Sequence, residues 1–97
     1  MRISHTRFFT ESVRRLDASE RQLVLKAVRM LELSNQWLGK RMHGDLHNAR
    51  SLRTGHNNRL RIVYLVREGT GFLLIVGERK DLRVYSRAAQ ILRELGL

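Results

Sequence analysis

The sequence predicts a small α+β domain in which an antiparallel sheet is covered by a pair of helices. Two observations carry this prediction. Stretches with apolar residues at helical spacing lie early in the chain and again at its end, and stretches of strand character lie between them, separated by glycine-containing turns. No repeat and no proline-rich or serine-rich linker interrupts the sequence, so we expect one domain over residues 1–97 with the element order β-α-α-β-β-β-α.

The first half of the chain supplies one short strand and the helix pair. Arg2–His5 is predicted to be the opening strand, and Thr6 is placed to cap the first helix. Asp17, with Glu20 three residues later, resembles a capping box at the start of the second helix. The second helix has an apolar stripe made of Val24, Ala27, Val28 and Leu31.

The second half predicts a three-stranded meander followed by a last helix. The expected strands are Ala49–Thr54, Arg59–Arg67 and Phe72–Glu78. The third of these is continuously apolar over its first five residues, so we expect it to be central and buried on both faces. Ser86 is expected to cap the last helix, and Gly96 is expected to end it.

Charge is the strongest signal in the composition. Nineteen lysines and arginines face nine aspartates and glutamates, which gives a formal net charge of +10. Self-repulsion at this density favours a polyanion or an acidic protein as the partner over a small neutral molecule. Alternation in the middle strand places Arg59, Arg61 and Arg67 on one partly apolar face, which is costly unless they open into a cleft or meet anions. An arginine-rich coding bias with a solvated surface is the alternative interpretation.

Several kinds of site are missing from the sequence. Without cysteine there is no disulfide, no thiolate metal site and no thiol nucleophile, and no phosphate-binding glycine loop or nucleophile elbow is present. His43 and His47 have i, i+4 spacing, but the glycine between them argues against a helix. We therefore expect no metal and no cofactor. No membrane-spanning stretch or secretory signal is visible, so we expect a cytoplasmic protein without a membrane partner.

Three residues near one end of the predicted sheet are candidates for a metal-free site. Arg61 lies on the second predicted strand of the meander, Arg59–Arg67. Arg79 and Tyr85 follow the third strand, Phe72–Glu78, so the fold can bring the three residues together. RNA carries its own nucleophile, the 2′-hydroxyl beside the scissile phosphate. Arginine suits the charge that develops at phosphorus, and a tyrosine among cations can accept a proton. The same spacing also fits a tyrosine at the edge of the core and two surface arginines.

The ordered set of motifs resembles toxins of the RelE/ParE superfamily of type II toxin–antitoxin systems. The motifs are Met42-His43-Gly44-Asp45-Leu46, Ser51-Leu52-Arg53, Arg61-Ile62-Val63-Tyr64, Ile75-Val76-Gly77-Glu78-Arg79 and Val84-Tyr85-Ser86. The resemblance covers nearly the whole chain and implies a RelE-like fold. It is closer to the RelE-type members, which implies a ribosome-dependent mRNA endoribonuclease that inhibits translation and is held inactive by an acidic antitoxin.

The resemblance also implies roles for individual residues. Arg61 and Arg79 would bind and stabilise the scissile phosphate, and Tyr85 would be the general base. Two lysines that the family carries on the preceding strand have no match here, so either Arg50 or Arg53 substitutes for them or cleavage is weaker. The residues expected to contact mRNA on the ribosome and ribosomal RNA are Arg50, Arg53, Arg59, Lys80 and Arg83.

Two other functions remain open at this point. Toxins of the ParE type share the fold and inhibit DNA gyrase without nuclease activity. They lack a tyrosine at the position of Tyr85, which favours RNA cleavage here. A non-catalytic RNA-binding module would also account for the charge of +10.

Overall fold

Five strands and three helices make up the part of the chain that the structure, a computed structural model, describes: residues 1–34, 38–46, 48–80 and 82–97. In chain order they are β1 (Arg2–His5), α1 (Arg7–Arg14), α2 (Ala18–Leu33), β2 (Lys40–Arg41), β3 (Ala49–Thr54), β4 (Leu60–Arg67), β5 (Thr70–Glu78) and α3 (Arg83–Leu95). Single 3-10 turns lie at Gly44–Leu46 and His56–Asn58. The expected α+β class and its helix pair are therefore confirmed.

The strands form one mixed sheet with the order β1-β5-β4-β3-β2. Strands β2 to β5 form an antiparallel meander, whereas β1 runs parallel to β5. The prediction of a wholly antiparallel sheet was therefore wrong for β1, and the two-residue strand β2 was not predicted. A parallel neighbour requires a long connection, and here it is the whole chain between β1 and β5. Helices α1 and α2 lead to β2 at the opposite edge of the sheet, and the meander from β2 to β4 leads back to β5. Apolar alternation carries no information about the direction of the partner strand.

The β4–β5 hairpin closes through a tighter turn than the four-residue loop that the sequence suggests. Its central residues, Glu68 and Gly69, both have positive φ, at 51° and 77°. This is the backbone twist that two-residue hairpins favour. The β4–β5 register shifts between Val63 and Tyr64.

The predicted burial of β5 on both faces is confirmed. Leu73 packs under α1 and α2 on one face. Its neighbour Leu74 packs under α3.

The sheet carries helices on both faces. The α1–α2 pair covers a core that includes Phe9, Val24, Leu31, Ile62 and Tyr64. On the other face, α3 covers a second core that includes Val63, Leu65, Leu74, Ala88 and Ile91. A single helix spans only part of that second face, so the sheet remains open at both ends of α3. Within the described residues, no helix combines the length and the apolar character needed to cross a lipid bilayer.

Most of the predicted helix ends are found in the structure, and the exception, the start of α3, changes where Tyr85 lies. The side chains of Thr6 and Asp17 accept the expected N-terminal hydrogen bonds, and Gly96, with φ of 69°, ends α3. The prediction that Ser86 caps α3 was wrong, because the helix begins at Arg83 after a left-handed residue. Buried Val84 extends the apolar stripe one turn earlier than predicted. Tyr85 consequently lies inside the first turn of α3 and not before the helix.

Candidate functional site

A cleft of about 240 Å³ opens on the α3 face of the sheet, beside the start of that helix. It is lined by Lys40, Arg41, Met42, His43, Ser51, Arg53, Arg61, Arg79 and Tyr85. The three residues expected to be catalytic, Arg61, Arg79 and Tyr85, all lie in it. Four elements contribute: β2 and β3 on one side, β4 in the centre, and the segment from the end of β5 into α3 on the other.

The pairing of the strands brings the arginines together. Arg53 and Arg61 are direct neighbours across β3 and β4, and Arg61 faces Gly77 across β4 and β5. A Cβ atom at Gly77 would lie 3.2 Å from the side chain of Val84, so this glycine lets the start of α3 pack against β5. The backbone N–H of Arg79 donates to the carbonyl of Arg59 at 3.0 Å, which extends the ladder one residue beyond β5.

Tyr85 presents its hydroxyl to the cleft from the first turn of α3. Its ring packs against the core under α3, while the side chain remains partly exposed. The hydroxyl oxygen lies 3.5 Å from the hydroxyl oxygen of Ser51, the outer limit of hydrogen bonding. A substrate atom can therefore compete for the Tyr85 hydroxyl, because no strong internal hydrogen bond from the described residues holds it.

The electrostatics of the cleft are strongly one-sided. Five of its nine lining side chains are lysine or arginine, and no carboxylate lines it within the described residues. Arg61 donates through Nη1 to the carbonyl oxygens of Asn58 and Leu60, which orient its guanidinium without neutralising it. In the described parts of the chain, Arg53 and Arg79 form no ion pair. Such a set of fixed cations in a recess attracts an anion.

Arg59, which the sequence analysis expects to bind RNA, belongs to an ion-pair network with Glu20 and Glu78. Its Nε lies 2.7 Å from a carboxylate oxygen of Glu20, and its Nη1 lies 2.8 Å from one of Glu78. Glu20 is 1% exposed and also accepts the backbone N–H of His56 at 3.2 Å. The hydrogen bond to Glu20 raises the pKa of Arg59. Sequence reasoning assigned Glu20 to the α2 cap, whereas its carboxylate binds the β3–β4 turn.

Arg50 and Arg53, the two candidates for replacing the family lysines, have different positions. Arg53 lines the cleft. The Nε of Arg50 donates to the carbonyl of Gly39 at 2.7 Å, and the N–H of Gly39 donates to the Tyr64 hydroxyl at 2.9 Å. Burial raises the pKa of Tyr64, with the Gly39 N–H and Arg50 acting in the opposite sense. Arg50 therefore supports the structure around Tyr64, and of these two arginines only Arg53 lines the cleft.

The remaining candidates fall outside the cleft or outside the described residues. Lys80 and Arg83 are exposed near Arg79 without lining the cleft. His47 is not among the described residues, whereas His43 lines the cleft. Sequence reasoning missed the lining role of Lys40, Arg41 and His43, since the short strand β2 carries no apolar pattern. Among the described residues, no three His, Asp or Glu side chains lie close enough to hold one metal ion.

Comparisons with known proteins agree with this architecture. The family Phage derived protein Gp49-like (DUF891) matches residues 11–95. An arginine-to-alanine double mutant of the E. coli toxin RelE in the free state has a TM-score of 0.67 at 22% identity, covering 92% of this chain and 94% of that one. The isolated E. coli RelE toxin gives 0.61 at 23% identity, covering 92% and 95%.

A third similar structure is the toxin–antitoxin complex RelBE2 from Mycobacterium tuberculosis, with a TM-score of 0.59 at 20% identity, covering 80% of this chain and 96% of that one. No curated protein matches the chain. The structural similarities confirm the RelE-like fold that the sequence predicts.

Proposed function

The chain belongs to the Gp49-like family of phage-derived proteins, and from that premise we propose that it is the toxin of a toxin–antitoxin pair and cleaves mRNA on the ribosome. One observation carries the proposal: Arg53, Arg61 and Arg79 line one cleft with the Tyr85 hydroxyl, and no carboxylate lines it within the described residues. The RelE-like fold supports it, because several structures that share this fold are of toxins. Residues 1–97 would form one toxin domain.

The chemistry that we propose uses the nucleophile of the substrate. Tyr85 accepts the proton of the 2′-hydroxyl as its oxygen attacks the adjacent phosphorus. Arg61 and Arg53 bind the non-bridging oxygens, where negative charge increases in the transition state. Arg79, which is exposed and lines the cleft, stabilises the 5′-oxygen as the P–O5′ bond breaks, and that oxygen then takes a proton from water. The products are a 2′,3′-cyclic phosphate and a free 5′-hydroxyl. The cationic side chains that line the cleft together with Tyr85 favour negative charge there.

The partners follow from charge. A surface with +10 in 97 residues repels itself, and an acidic antitoxin would compensate that charge. The similar structure from Mycobacterium tuberculosis is a toxin–antitoxin complex, which supports the same arrangement for this chain. The proposed substrate is mRNA in the decoding site, with ribosomal RNA as a further polyanionic contact, and the proposed compartment is the cytoplasm.

The test is a translation reaction with a defined mRNA, read by primer extension, beside a gyrase supercoiling assay. Wild type is expected to cut the mRNA, and Tyr85→Phe is expected to lose about a hundredfold or more in the cleavage rate while it keeps its fold and its ribosome binding. The matched control is Tyr64→Phe, because it also removes one hydroxyl, from a tyrosine buried in the core. That variant should keep its cleavage rate per folded molecule.

Two results would contradict this assignment. Supercoiling inhibition with intact mRNA would make the protein a gyrase inhibitor. RNA binding without any cleavage product would make it a non-catalytic binding module. Cleavage that survives Tyr85→Phe would retain the ribonuclease and reassign the base, with His43 as the next residue to substitute because it lines the cleft.

A further inference from the structure

The side of the cleft that β2 and the segment after it form differs in chemistry from the arginine-lined centre. Met42 and His43 line it beside Lys40 and Arg41. Met42 is partly buried against the core under α3, whereas His43 is exposed. Within the described residues, His43 and Tyr85 are the two ring-bearing side chains of the lining. This side of the cleft therefore presents a thioether and an imidazole ring next to the cations.

The backbone around His43 is fixed on both sides. The N–H of Met42 donates to the carbonyl of Ala49 at 3.0 Å, which extends the β2–β3 ladder by one residue. The N–H of buried Leu46 donates to the carbonyl of His43 at 3.3 Å. Gly44, with a positive φ of 64°, turns the chain immediately after His43. Because the backbone is already ordered, a ligand that contacts His43 does not have to order this segment.

The imidazole of His43 has no competing contact. Its side chain makes no hydrogen bond, ion pair or ring contact with any other residue that the structure describes. The ring of Tyr85, in contrast, packs against the core under α3. Proteins that bind single-stranded RNA stack its unpaired bases on exposed rings of this kind, histidine included, beside cations that contact the phosphates. The surroundings of His43 match that combination.

We propose that the imidazole of His43 stacks on the nucleobase next to the phosphate that the cleft binds, with Met42 as its apolar neighbour. The choice of RNA as the ligand rests on the proposed function. In that reaction Arg79 stabilises the leaving 5′-oxygen from the end of β5, whereas His43 lies on the β2 side. The stacked base therefore belongs to the nucleotide whose 2′-hydroxyl attacks. A purine is favoured there, because its two fused rings offer more stacking surface than the single ring of a pyrimidine.

The main experiment is a binding cycle that does not depend on cleavage. The full chain is titrated into a fluorescent 2′-O-methyl oligoadenylate of about six nucleotides, and into an abasic strand with the same backbone and length. The methyl groups block the 2′-oxygen, so neither strand can be cut. Fluorescence anisotropy at about 0.15 M salt limits non-specific attraction. We expect His43→Ala to weaken binding of the oligoadenylate by about fivefold or more, and binding of the abasic strand by no more than about twofold.

Two further variants separate stacking from other roles of the histidine. His43→Phe keeps a ring and removes both ring nitrogens, so it should bind the oligoadenylate within about twofold of wild type. His5→Ala is the matched control, because His5 is also exposed but β1 lies at the opposite edge of the sheet from β2. It should change neither affinity by more than about twofold. Thermal unfolding of each variant shows that folded proteins are compared.

The translation reaction tests which nucleotide is stacked. On a defined mRNA, wild type should cut after a purine more often than after a pyrimidine. His43→Ala should reduce that ratio by about twofold or more, and His43→Phe should restore it. A preference that depends on the nucleotide after the cut would overturn the assignment of the stacked base.

Two binding results would overturn the inference. Equal losses for the oligoadenylate and the abasic strand in His43→Ala would mean that His43 acts without contacting a base. Binding by His43→Phe as weak as that by His43→Ala would mean that the ring nitrogens, and not the ring surface, bind the RNA. A protein that cuts no mRNA can still pass the binding test, and then only the proposed function fails. One that cuts mRNA can fail the binding test, and then only the stacking contact is lost.

Discussion

Arg59 and Arg61 are two residues apart in the sequence and have contrasting surroundings. Arg59 contacts two carboxylates, one of them buried, and connects α2 to the end of β5. Among the described residues, Arg61 donates only to backbone carbonyl oxygens, and it faces a cleft lined by four further cations. The comparison shows that the contacts of an arginine say more about its role than its place in the sequence does. An arginine paired with carboxylates has a structural role, whereas one in a cleft without carboxylates can bind an anion.

The largest effect is expected from removing a cleft cation. Arg79→Ala should lower mRNA cleavage by about a hundredfold or more, because the developing phosphate charge loses its support. Its unfolding free energy should change by no more than about 0.5 kcal/mol, since the side chain is exposed and outside the ion-pair network. Primer extension and urea denaturation measure the two quantities. Lys80→Ala is the matched control, because Lys80 is exposed but does not line the cleft. An equal loss of cleavage in that variant would show that the cleft cations matter no more than other basic residues of the surface.

The opposite pattern is expected for the ion-pair network. Glu20→Ala removes the acceptor of Arg59 Nε and of the His56 N–H, so the unfolding free energy should fall by about 2 kcal/mol. Cleavage per folded molecule should be unchanged. The control is Glu94→Ala, whose 3.7 Å pair with Arg87 is exposed and should cost less than about 1 kcal/mol. A Glu20→Ala protein as stable as wild type in urea would remove the structural role assigned to Arg59.

A smaller difference should separate the two arginines of β3. Arg53→Ala is expected to reduce the slope of log RNA affinity against log salt by about one contact. Arg50→Ala should leave that slope nearly unchanged, because Arg50 does not line the cleft in which the RNA is proposed to bind. Filter binding of a single-stranded RNA across a salt series measures both slopes. Equal reductions in the two variants would show that the position of Arg53 in the cleft does not decide which of the two arginines binds RNA.

The smallest expected effect concerns acid stability. The backbone N–H of Glu20 and the hydroxyl of Ser19 donate to Asp17 and hold its pKa below the ordinary value. A carboxylate with a lowered folded pKa contributes stability above pH about 4, and that contribution disappears as pH falls through the folded value. Asp17→Asn keeps an acceptor for the cap and should flatten this part of the dependence of Tm on pH. If the slope of Tm against pH between about 3 and 5 were the same in Asp17→Asn as in wild type, this prediction would be wrong.

Local patterns were sufficient for most of the fold. Alternation and turn residues predicted β3 over Ala49–Thr54 with the bounds that the structure has, and glycine predicted the end of α3. The direction of β1 was not predictable, because it depends on which edge of the sheet the crossover reaches. Ser86 was a misleading signal, since a serine one turn inside a helix has the same sequence appearance as a cap.

The candidate site was predictable where one hairpin and one connection define it. Arg61, Arg79 and Tyr85 lie in one cleft because β4 and β5 are adjacent and α3 follows β5 directly. The placement of Arg50 and Arg59 was not predictable, because their partners Gly39 and Glu20 lie on distant elements. Nothing in the sequence distinguishes an arginine that forms an ion pair from one that lines the cleft. Only the tertiary contacts distinguish them.

The parallel pairing of β1 with β5 also bears on how the protein is made. The hydroxyl of Thr6, directly after β1, bonds to the carbonyl of Leu73, 67 residues further along the chain. Closing so long a loop is a non-local event, so this contact raises the contact order, and we expect it to form late in folding. At about 5–20 residues per second, synthesis leaves β1 without a strand partner for several seconds. A nascent chain interrupted before α3 lacks Tyr85, and its cleft is incomplete.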